Sequence, residues 1–389
     1  MQDISSIENK NQVAIIAVGY NRLLSIKRLL ESLDRAHYSC EVPLVVSIDN
    51  SGCQELYDYV NTFEWKHGTK YVIIQKERLG LKNHILACGD LTRYFKAVII
   101  LEDDIFVSEF FYDYVLDAIK KYGDDPRIGG ISLYRPSMDG NLPIDYIQDG
   151  NGSFAYQNVE SWGQCWTQQM WNAFRNWYDS NSETDFSNID MPVYMKNWKK
   201  AWSKFYMAFQ IQENRYFIYP SVSYTTCFSE AGEHGITSSI GQSVLASGYN
   251  GAILKGFDDL SKYDIYGANE AIYLWLGLSK DELCIDLRGN NDNSKQKRYV
   301  LSPYHYSNKV EKEFALSLRP IELNVKYNVE GRGLYLYNAI DGAKAVRKGF
   351  PMALAYYYIR QFNVKVLAKY VFSYTKMRVV QKLEKIIKH

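Results

Sequence analysis

Short, wholly apolar runs closed by polar turns alternate with segments of helical period over the first third of the chain. Residues 13–18 (VAIIAV) form the first run and 19–22 (GYNR) close it; from Leu23 to Leu33 the apolar positions 24, 26, 29, 30 and 33 then recur at helical spacing. A strand, a turn and a helix are predicted. Residues 43–48 (PLVVSI) are a second strand that stops at the turn sequence Asp49, Asn50, Ser51, Gly52. Residues 71–75 are a third, and 97–101 a fourth that runs straight into Glu102, Asp103 and Asp104. Helices are predicted over 81–95 and 110–122, and a further strand over 128–133. These strands are apolar on both faces rather than alternating. Their β-α-β-β-α-β-α-β order therefore predicts an α/β fold, a mostly parallel, Rossmann-like sheet flanked by helices. Ligands of such sheets bind beyond the carboxyl ends of the strands, so the polar residues that follow each strand are the candidates.

Past residue 150 the pattern weakens and tryptophans accumulate, at 162, 166, 171, 177, 198 and 202. Helices are predicted around 163–178 and 190–212. Residues 251–340 are mixed, with strand-like pieces at 298–302 and 321–326. The organisation expected is one large domain over 1–250, split at about 135 into two halves. A mixed accessory region (251–340) and a helical tail (341–389) would follow. From Lys344 onward the tail carries eleven Lys and Arg against the single acid Glu384, interleaved with Tyr, Phe and Val. Cationic and aromatic side chains mixed on a helix suit an anionic membrane surface. The plainer alternative is a pair of packing helices with a solvated basic face.

Composition narrows the classes. A net charge of +1 with the positive surplus confined to the tail disfavours nucleic acid. The 33 Tyr, 17 Phe and 8 Trp are the side chains that stack on sugar rings while their polar tips hydrogen-bond. Six cysteines without a CxxC pair read as buried thiols in a reducing compartment. The opening MQDISSIENKNQ lacks a basic-then-apolar leader pattern, and no run of about 18 apolar residues occurs. The expected location is cytoplasmic, peripheral on the inner face of the plasma membrane.

Glu102, Asp103 and Asp104 carry the strongest chemical signal. Adjacent carboxylates at a strand end repel one another, and a hard divalent cation relieves that repulsion. Mg²⁺ or Mn²⁺ takes one or two protein carboxylates and fills its remaining positions with phosphate oxygens and water. Such an ion would neutralise a departing nucleoside diphosphate. An acidic cap for the next helix is the simpler alternative. Asp49, ending the second strand at the same edge, could accept the imide N–H of uracil. Arg22 could reach phosphate or base, and His84 could contact phosphates.

The segments 13–22 (VAIIAVGYNR), 43–52 (PLVVSIDNSG) and 98–111 (VIILEDDIFVSEFF) resemble the nucleotide-binding half of GT-A fold glycosyltransferases. The likeness is greatest to the animal N-acetylglucosaminyltransferase that opens complex N-glycan synthesis and to bacterial family 2 proteins. It continues through Ser161, Trp162, Gly163 and Trp171, and faintly through 220–235, covering roughly 12–240. It implies a nucleotide-binding part over 12–135 and an acceptor side over 136–250. It also implies an inverting transfer from a nucleotide sugar, UDP-linked by preference, to an acceptor hydroxyl; the cysteines, the absent leader pattern and the basic tail suit a bacterial enzyme that meets a glycan or lipid-linked acceptor in surface polysaccharide or glycolipid synthesis. By the same resemblance Asp49 would bind the base, Arg22 would lie by the nucleotide, and Glu102 and Asp103 would touch sugar and ribose. Asp104 would hold Mn²⁺ or Mg²⁺, His84 would face the nucleotide, and His234 would end a loop closing over the donor.

The chain departs from that family at one point. The family's catalytic Asp, about 16 positions before the proline matching Pro220, is replaced here by the stretch Trp202, Ser203, Lys204, Phe205. A hydroxyl nucleophile still needs a base, and Glu233, Glu160 and Glu230 are the candidates, Glu233 first. The missing Asp also motivates a second hypothesis, a catalytically inactive binding or scaffold protein on the same fold. A third, a sugar nucleotidyltransferase, calls for a Gly-rich loop after the first strand, where this chain has a single glycine, Gly19.

Overall fold

The structure, a computed structural model, describes residues 9–139, 142–199, 201–228, 242–339, 347–349 and 351–387. They fall into two compact units: Met1–Leu274 with Asn290–Asp292, and Trp275–Gly289 with Asn293–His389.

The first unit opens with β1 (Asn9–Gly19), α1 (Leu23–Asp34), β2 (Leu44–Ile48), α2 (Gln54–Thr62), β3 (Lys70–Ile74), α3 (Gly80–Gly89) and β4 (Phe95–Glu102). Next come β5 (Ile105–Val107), α4 (Phe111–Tyr122), β6 (Ile128–Ser132) and the short pair β7 (Met138–Asp139) and β8 (Leu142–Pro143). The rest is β9 (Ser153–Tyr156), β10 (Gln164–Thr167), α5 (Gln168–Asn181), α6 (Val193–Lys196), α7 (Trp202–Gln212), β11 (Tyr216–Pro220), β12 (Thr225–Cys227) and β13 (Lys262–Tyr263).

Nine of these strands make one sheet in the order β13-β9-β11-β6-β10-β4-β1-β2-β3. The strands β1, β2, β3, β4, β6 and β11 run one way; β9, β10 and β13 run the other. The fold is thus α/β with a mostly parallel sheet, as the apolar strands predict. Helices cover both faces. Trp166 of β10 packs on Trp171 of α5 and on Trp202 and Tyr206 of α7. Its neighbour Cys165 points to the opposite face, toward Tyr112 and Tyr114 of α4. Gly89 ends α3 directly against the Trp171 indole, where a Cβ would come within 2.1 Å of the ring; only glycine allows this approach. Trp171 Nε1 donates to Asp90 Oδ1 at 2.8 Å, which fixes the lower end of α3.

Three predicted elements differ from those observed, and one observed helix is unpredicted. α2 was not anticipated; its only buried side chains are Leu56 and Val60, one turn apart, too short an apolar pattern to stand out beside the turn residues before it. The helix expected over 163–178 is β10 followed by α5, because Gln164–Thr167 is wedged between β4 and β6 and must supply ladder bonds to both. Thr167 then caps α5, its Oγ1 accepting the Met170 N–H at 3.3 Å. The helix expected over 190–212 is two helices, α6 and α7, separated by residues 197–201. Residues 321–326 form a helical turn rather than a strand: buried Asn324 accepts from the Ser317 and Leu318 amides and donates to the Leu318 and Ile321 carbonyls.

α8 (Ala271–Leu276) leads out of the first unit. The second contains β14 (Leu283–Ile285), β15 (Tyr299–Ser302), β16 (His305–Tyr306), β17 (Lys309–Ala315), α9 (Glu322–Lys326), β18 (Gly333–Asn338), β19 (Arg347–Lys348), α10 (Met352–Ile359) and α11 (Val364–Ile387). Its four-stranded sheet has the order β14-β15-β18-β17, over a small core of Cys284, Val300, Tyr306 and Tyr337.

Candidate functional site

Register aligns the carboxyl ends of three neighbouring parallel strands. Gly19 of β1 faces Ile48 of β2, and Val18 of β1 faces Glu102 of β4. The turns that follow, carrying Arg22, Asp49, and Asp103 with Asp104, therefore share one edge of the sheet. β10 runs antiparallel to β4 with Gln164 opposite Ile100, so the segment entering β10, Glu160 to Gly163, reaches the same edge from the other side.

Arg22 stands between β1 and α1 and crosses to the end of β4. Its Nη2 donates to Asp103 Oδ1 and its Nε to Asp103 Oδ2 at 3.2 Å, and Nη2 also lies 3.2 Å from Asp104 Oδ2. Burial alone would lower the affinity of the guanidinium for its proton. The bonds to Asp103 and the charges of Asp103 and Asp104 outweigh burial, so Arg22 is held more firmly cationic than usual. One cation thus faces three acids. The surplus shows on Glu102: burial first, then the charges of Asp104 and Asp103, push its carboxyl well above the usual range, with Arg22 opposing. Glu102 Oε1 is sealed from solvent with no hydrogen-bond partner. Asp103 is buried, whereas the Asp104 side chain keeps 22% of its surface exposed. The Asp104 carbonyl accepts the Phe228 N–H at 2.7 Å, just beyond the β5–β12 pair, which braces the acidic turn from outside.

Asp49 is 3% exposed and heavily used. Oδ1 accepts the amides of Asn50 and Leu79 at 2.9 and 2.8 Å, and Oδ2 accepts that of Gly80 at 2.9 Å. A carboxylate at the first turn of α3 satisfies two otherwise orphaned N–H groups. Four lone-pair directions less three bonds leave one on Oδ2. His84 lies one turn into α3 on its buried side, with Nε2 2.7 Å from Ser47 Oγ of β2. Burial pushes its pKa down to about 4 against the opposing pull of Asp49, so His84 is neutral at pH 7. It stands beneath the edge, behind Asp49 and Ser47, rather than on the open rim.

Glu160 is half-buried, accepts from Asn158 Nδ2 at 2.9 Å, and donates its backbone N–H to the Tyr219 hydroxyl at 3.2 Å. The next residues are tied to the sheet by Trp162, whose ring meets Tyr134 edge-on at 4.7 Å and whose carbonyl accepts from Thr225 Oγ1. Gly163 has φ +104°, and a Cβ there would touch Thr225 and Leu101. Glu230, Glu233 and His234 lie outside the described residues.

The structure thus gathers Arg22, Glu102, Asp103 and Asp104 into one cluster and sets Asp49 on the same edge with His84 behind it. Two neighbours carried no signal that sequence reasoning used. Gln164 is 0% exposed with both amide atoms unpartnered, on the same sheet face as Glu102. Arg135, past the end of β6, has a buried Nε without a hydrogen-bond acceptor and lies 5.4 Å over the Tyr146 ring. Gln164 directly follows Ser161, Trp162 and Gly163, and that adjacency was the only available hint.

Three acids stand against one Arg at this strand end, and a hard cation would relieve their mutual repulsion. Among the described residues no group of three or more His, Cys, Asp or Glu is assembled to hold an ion by itself. The donor set fits a cation that takes a single protein carboxylate, the half-exposed Asp104, and draws its other ligands from a phosphate-bearing ligand and water.

No protein-family model matches the chain, and no curated protein matches it. Among solved structures it is similar to S. aureus TarS 1–349 in complex with UDP-GlcNAc, at 14% identity over 59% of this chain and 62% of that one, TM-score 0.38. It is also similar to the mannosyltransferase PcManGT from Pyrobaculum calidifontis in complex with GDP-Man and Mn²⁺, at 13% identity over 54% and 57% of the two chains, TM-score 0.34. The match spans less than two thirds of either structure's length.

Proposed function

We propose that the chain is a metal-dependent, inverting glycosyltransferase of GT-A type. It would move a hexosyl or N-acetylhexosaminyl group from a nucleotide sugar, UDP-linked by preference, to a hydroxyl of a glycan or lipid-linked acceptor at the inner face of a plasma membrane. The observation that carries this reading is the common edge of β1, β2 and β4: an acidic triplet crossed by Arg22 stands beside a carboxylate, Asp49, with one lone pair to spare.

In this reading the free Oδ2 direction of Asp49 accepts the imide N–H of the base. Leu79 and Gly80 hold that carboxylate in place, and His84, neutral and bonded to Ser47, positions the end of β2 instead of pairing with phosphate. Arg22 keeps Asp103 oriented toward the ribose and offsets the charge of the diphosphate. Glu102, at the end of β4, would touch the sugar. A bound Mn²⁺ or Mg²⁺, held by Asp104, would supply charge neutralisation at the leaving nucleoside diphosphate. The acceptor oxygen attacks the anomeric carbon, the bond to the diphosphate breaks, and the acceptor proton passes to a carboxylate. Glu233 is the favoured base, before Glu160 and Glu230, and His234 would face the bound donor.

One observation favours a second reading, an inactive protein that binds nucleotide without transfer. Lys204 occupies the stretch where the family has its base, and its Nζ is committed to the Lys196 and Trp198 carbonyls at 2.7 and 2.8 Å. Transfer and hydrolysis assays with a panel of nucleotide sugars and Mn²⁺ separate the two. Turnover lost in Asp104→Ala supports the enzyme. Nucleotide binding with no turnover of any donor supports the inactive protein.

A further inference from the structure

Helix α10 is held to its own unit by one face and offers the other to solvent. Leu354 and Tyr357 are buried; the Tyr357 hydroxyl donates to the Leu318 carbonyl at 3.1 Å, and its own carbonyl accepts from Arg319 Nη2 at 2.8 Å. The other face carries Met352, Tyr356 and Ile359, spaced i, i+4, i+7 and exposed by 77%, 66% and 41%. Phe362, exposed as well, leads into the 24 residues of α11. While Val371, Phe372 and Val379 are exposed elsewhere round the helix, Val366, Tyr370, Tyr374 and Met377 form a second exposed apolar row at 3.6 residues per turn. Lys365, Lys369 and Lys376 run along one side of it, and Arg378, stacked on Tyr374, lies on the other.

We propose that α10 and the first half of α11 form a docking surface for an anionic lipid bilayer, lying in the plane of the headgroups. Two consecutive helices that leave Met, Ile, Val, Phe and Tyr in water expose a surface that soluble chains ordinarily bury. Tyrosines among aliphatic side chains suit the boundary between headgroups and acyl chains. Charge selects the occupant. From Lys344 onward eleven basic residues face one acid, while the rest of the chain is net negative. Anionic lipids attract such a segment, whereas a second copy of it would be repelled. Insertion across the bilayer is a different matter: among the described residues no helix is long and apolar enough to cross a membrane. The sugar-transfer reading sets the chain at a membrane face; this inference assigns the docking to α10 and α11 and does not depend on the transfer chemistry.

The test is flotation of the full chain with vesicles of phosphatidylglycerol and phosphatidylcholine, against phosphatidylcholine alone. The chain should float with the anionic vesicles only, and less so as salt rises. The triple variant Lys365→Glu, Lys369→Glu, Lys376→Glu and the double variant Tyr370→Ser, Tyr374→Ser should each lower the bound fraction at least about tenfold. Their urea midpoints should match the parent, because the substituted side chains are exposed. Equal binding to both vesicle types, or variants that bind as well as the parent, would overturn the proposal. So would failure to float combined with a concentration-dependent dimer that Tyr370→Ser, Tyr374→Ser abolishes, since the surface would then join two copies of the chain.

Discussion

Gly80 donates its backbone N–H to Oδ2 of Asp49 at 2.9 Å, joining the end of β2 to the first turn of α3. With the Leu79 and Asn50 amides on Oδ1, one side chain organises two loops of the candidate site. Removing it as Asp49→Ala strips three charge-assisted bonds and should destabilise the chain by about 2–4 kcal/mol. Asp49→Asn, which keeps a single acceptor oxygen, should fall between. Urea denaturation measures the loss, and calorimetric titration with UDP should show weaker binding in both. An Asp49→Ala chain as stable as the parent would mean these bonds carry no net energy.

Asp103 and Asp104 share Arg22 but not its protection. Asp104→Asn, half-exposed, should leave the unfolding midpoint unchanged, cut sugar transfer at least about 100-fold, and abolish the rise in melting temperature that Mn²⁺ with UDP gives the parent. Asp103→Asn breaks a part-buried ion pair and should destabilise by about 1–3 kcal/mol. Identical stability losses in the two variants would contradict the distinction drawn from their burial.

The base assignment is open to a direct comparison. Glu233→Gln should lower kcat by about 10²–10⁴-fold with little change in KM. Glu160→Gln keeps an oxygen for Asn158 Nδ2 and should cost less than about tenfold. The opposite ranking would move the base to Glu160, at the entrance to β10.

His84 makes the fold sensitive to acid. Its folded pKa of about 4 lies below the ordinary value of 6.5, so between those two pH values the unfolded chain binds a proton that the folded chain refuses. Stability should therefore be intact at pH 7 and fall as pH drops, by about 2 kcal/mol between pH 7 and pH 5 from this residue. His84→Gln should flatten that slope in thermal melts taken across the range. A slope as steep in the variant as in the parent would place the acid sensitivity elsewhere.

Gln164 is buried with neither amide atom bonded. Gln164→Leu, close in volume and apolar, should raise stability by about 1–2 kcal/mol. If the amide serves the donor site beside Glu102, the same variant should raise the KM for the nucleotide sugar. Lower stability with unchanged KM would make Gln164 a purely structural residue.

Five of the nine strands of the large sheet (β1, β2, β3, β4 and β6), the α/β class and the polar residues at those strand ends were legible in the chain itself. An apolar run such as residues 97–101 can satisfy its side chains only when buried on both faces, and a run that stops in Glu102, Asp103 and Asp104 must stop at an edge. The turn residues Arg22 and Asp49 were legible for the same reason. Local pattern also fixed the basic, aromatic character of the tail.

Pairing and burial were decided elsewhere. Nothing near Arg22 in the sequence indicates that it binds Asp103, 81 positions away, or that Asp49 would be claimed by the amides of Leu79 and Gly80. Residues 163–178 carry a helical pattern, yet the slot between β4 and β6 takes the first of them as a strand. Period and composition are properties of neighbouring residues. Hydrogen-bond partners, pKa values and the choice of strand neighbour depend on groups far apart in sequence, and these came together only when the sheet closed around them.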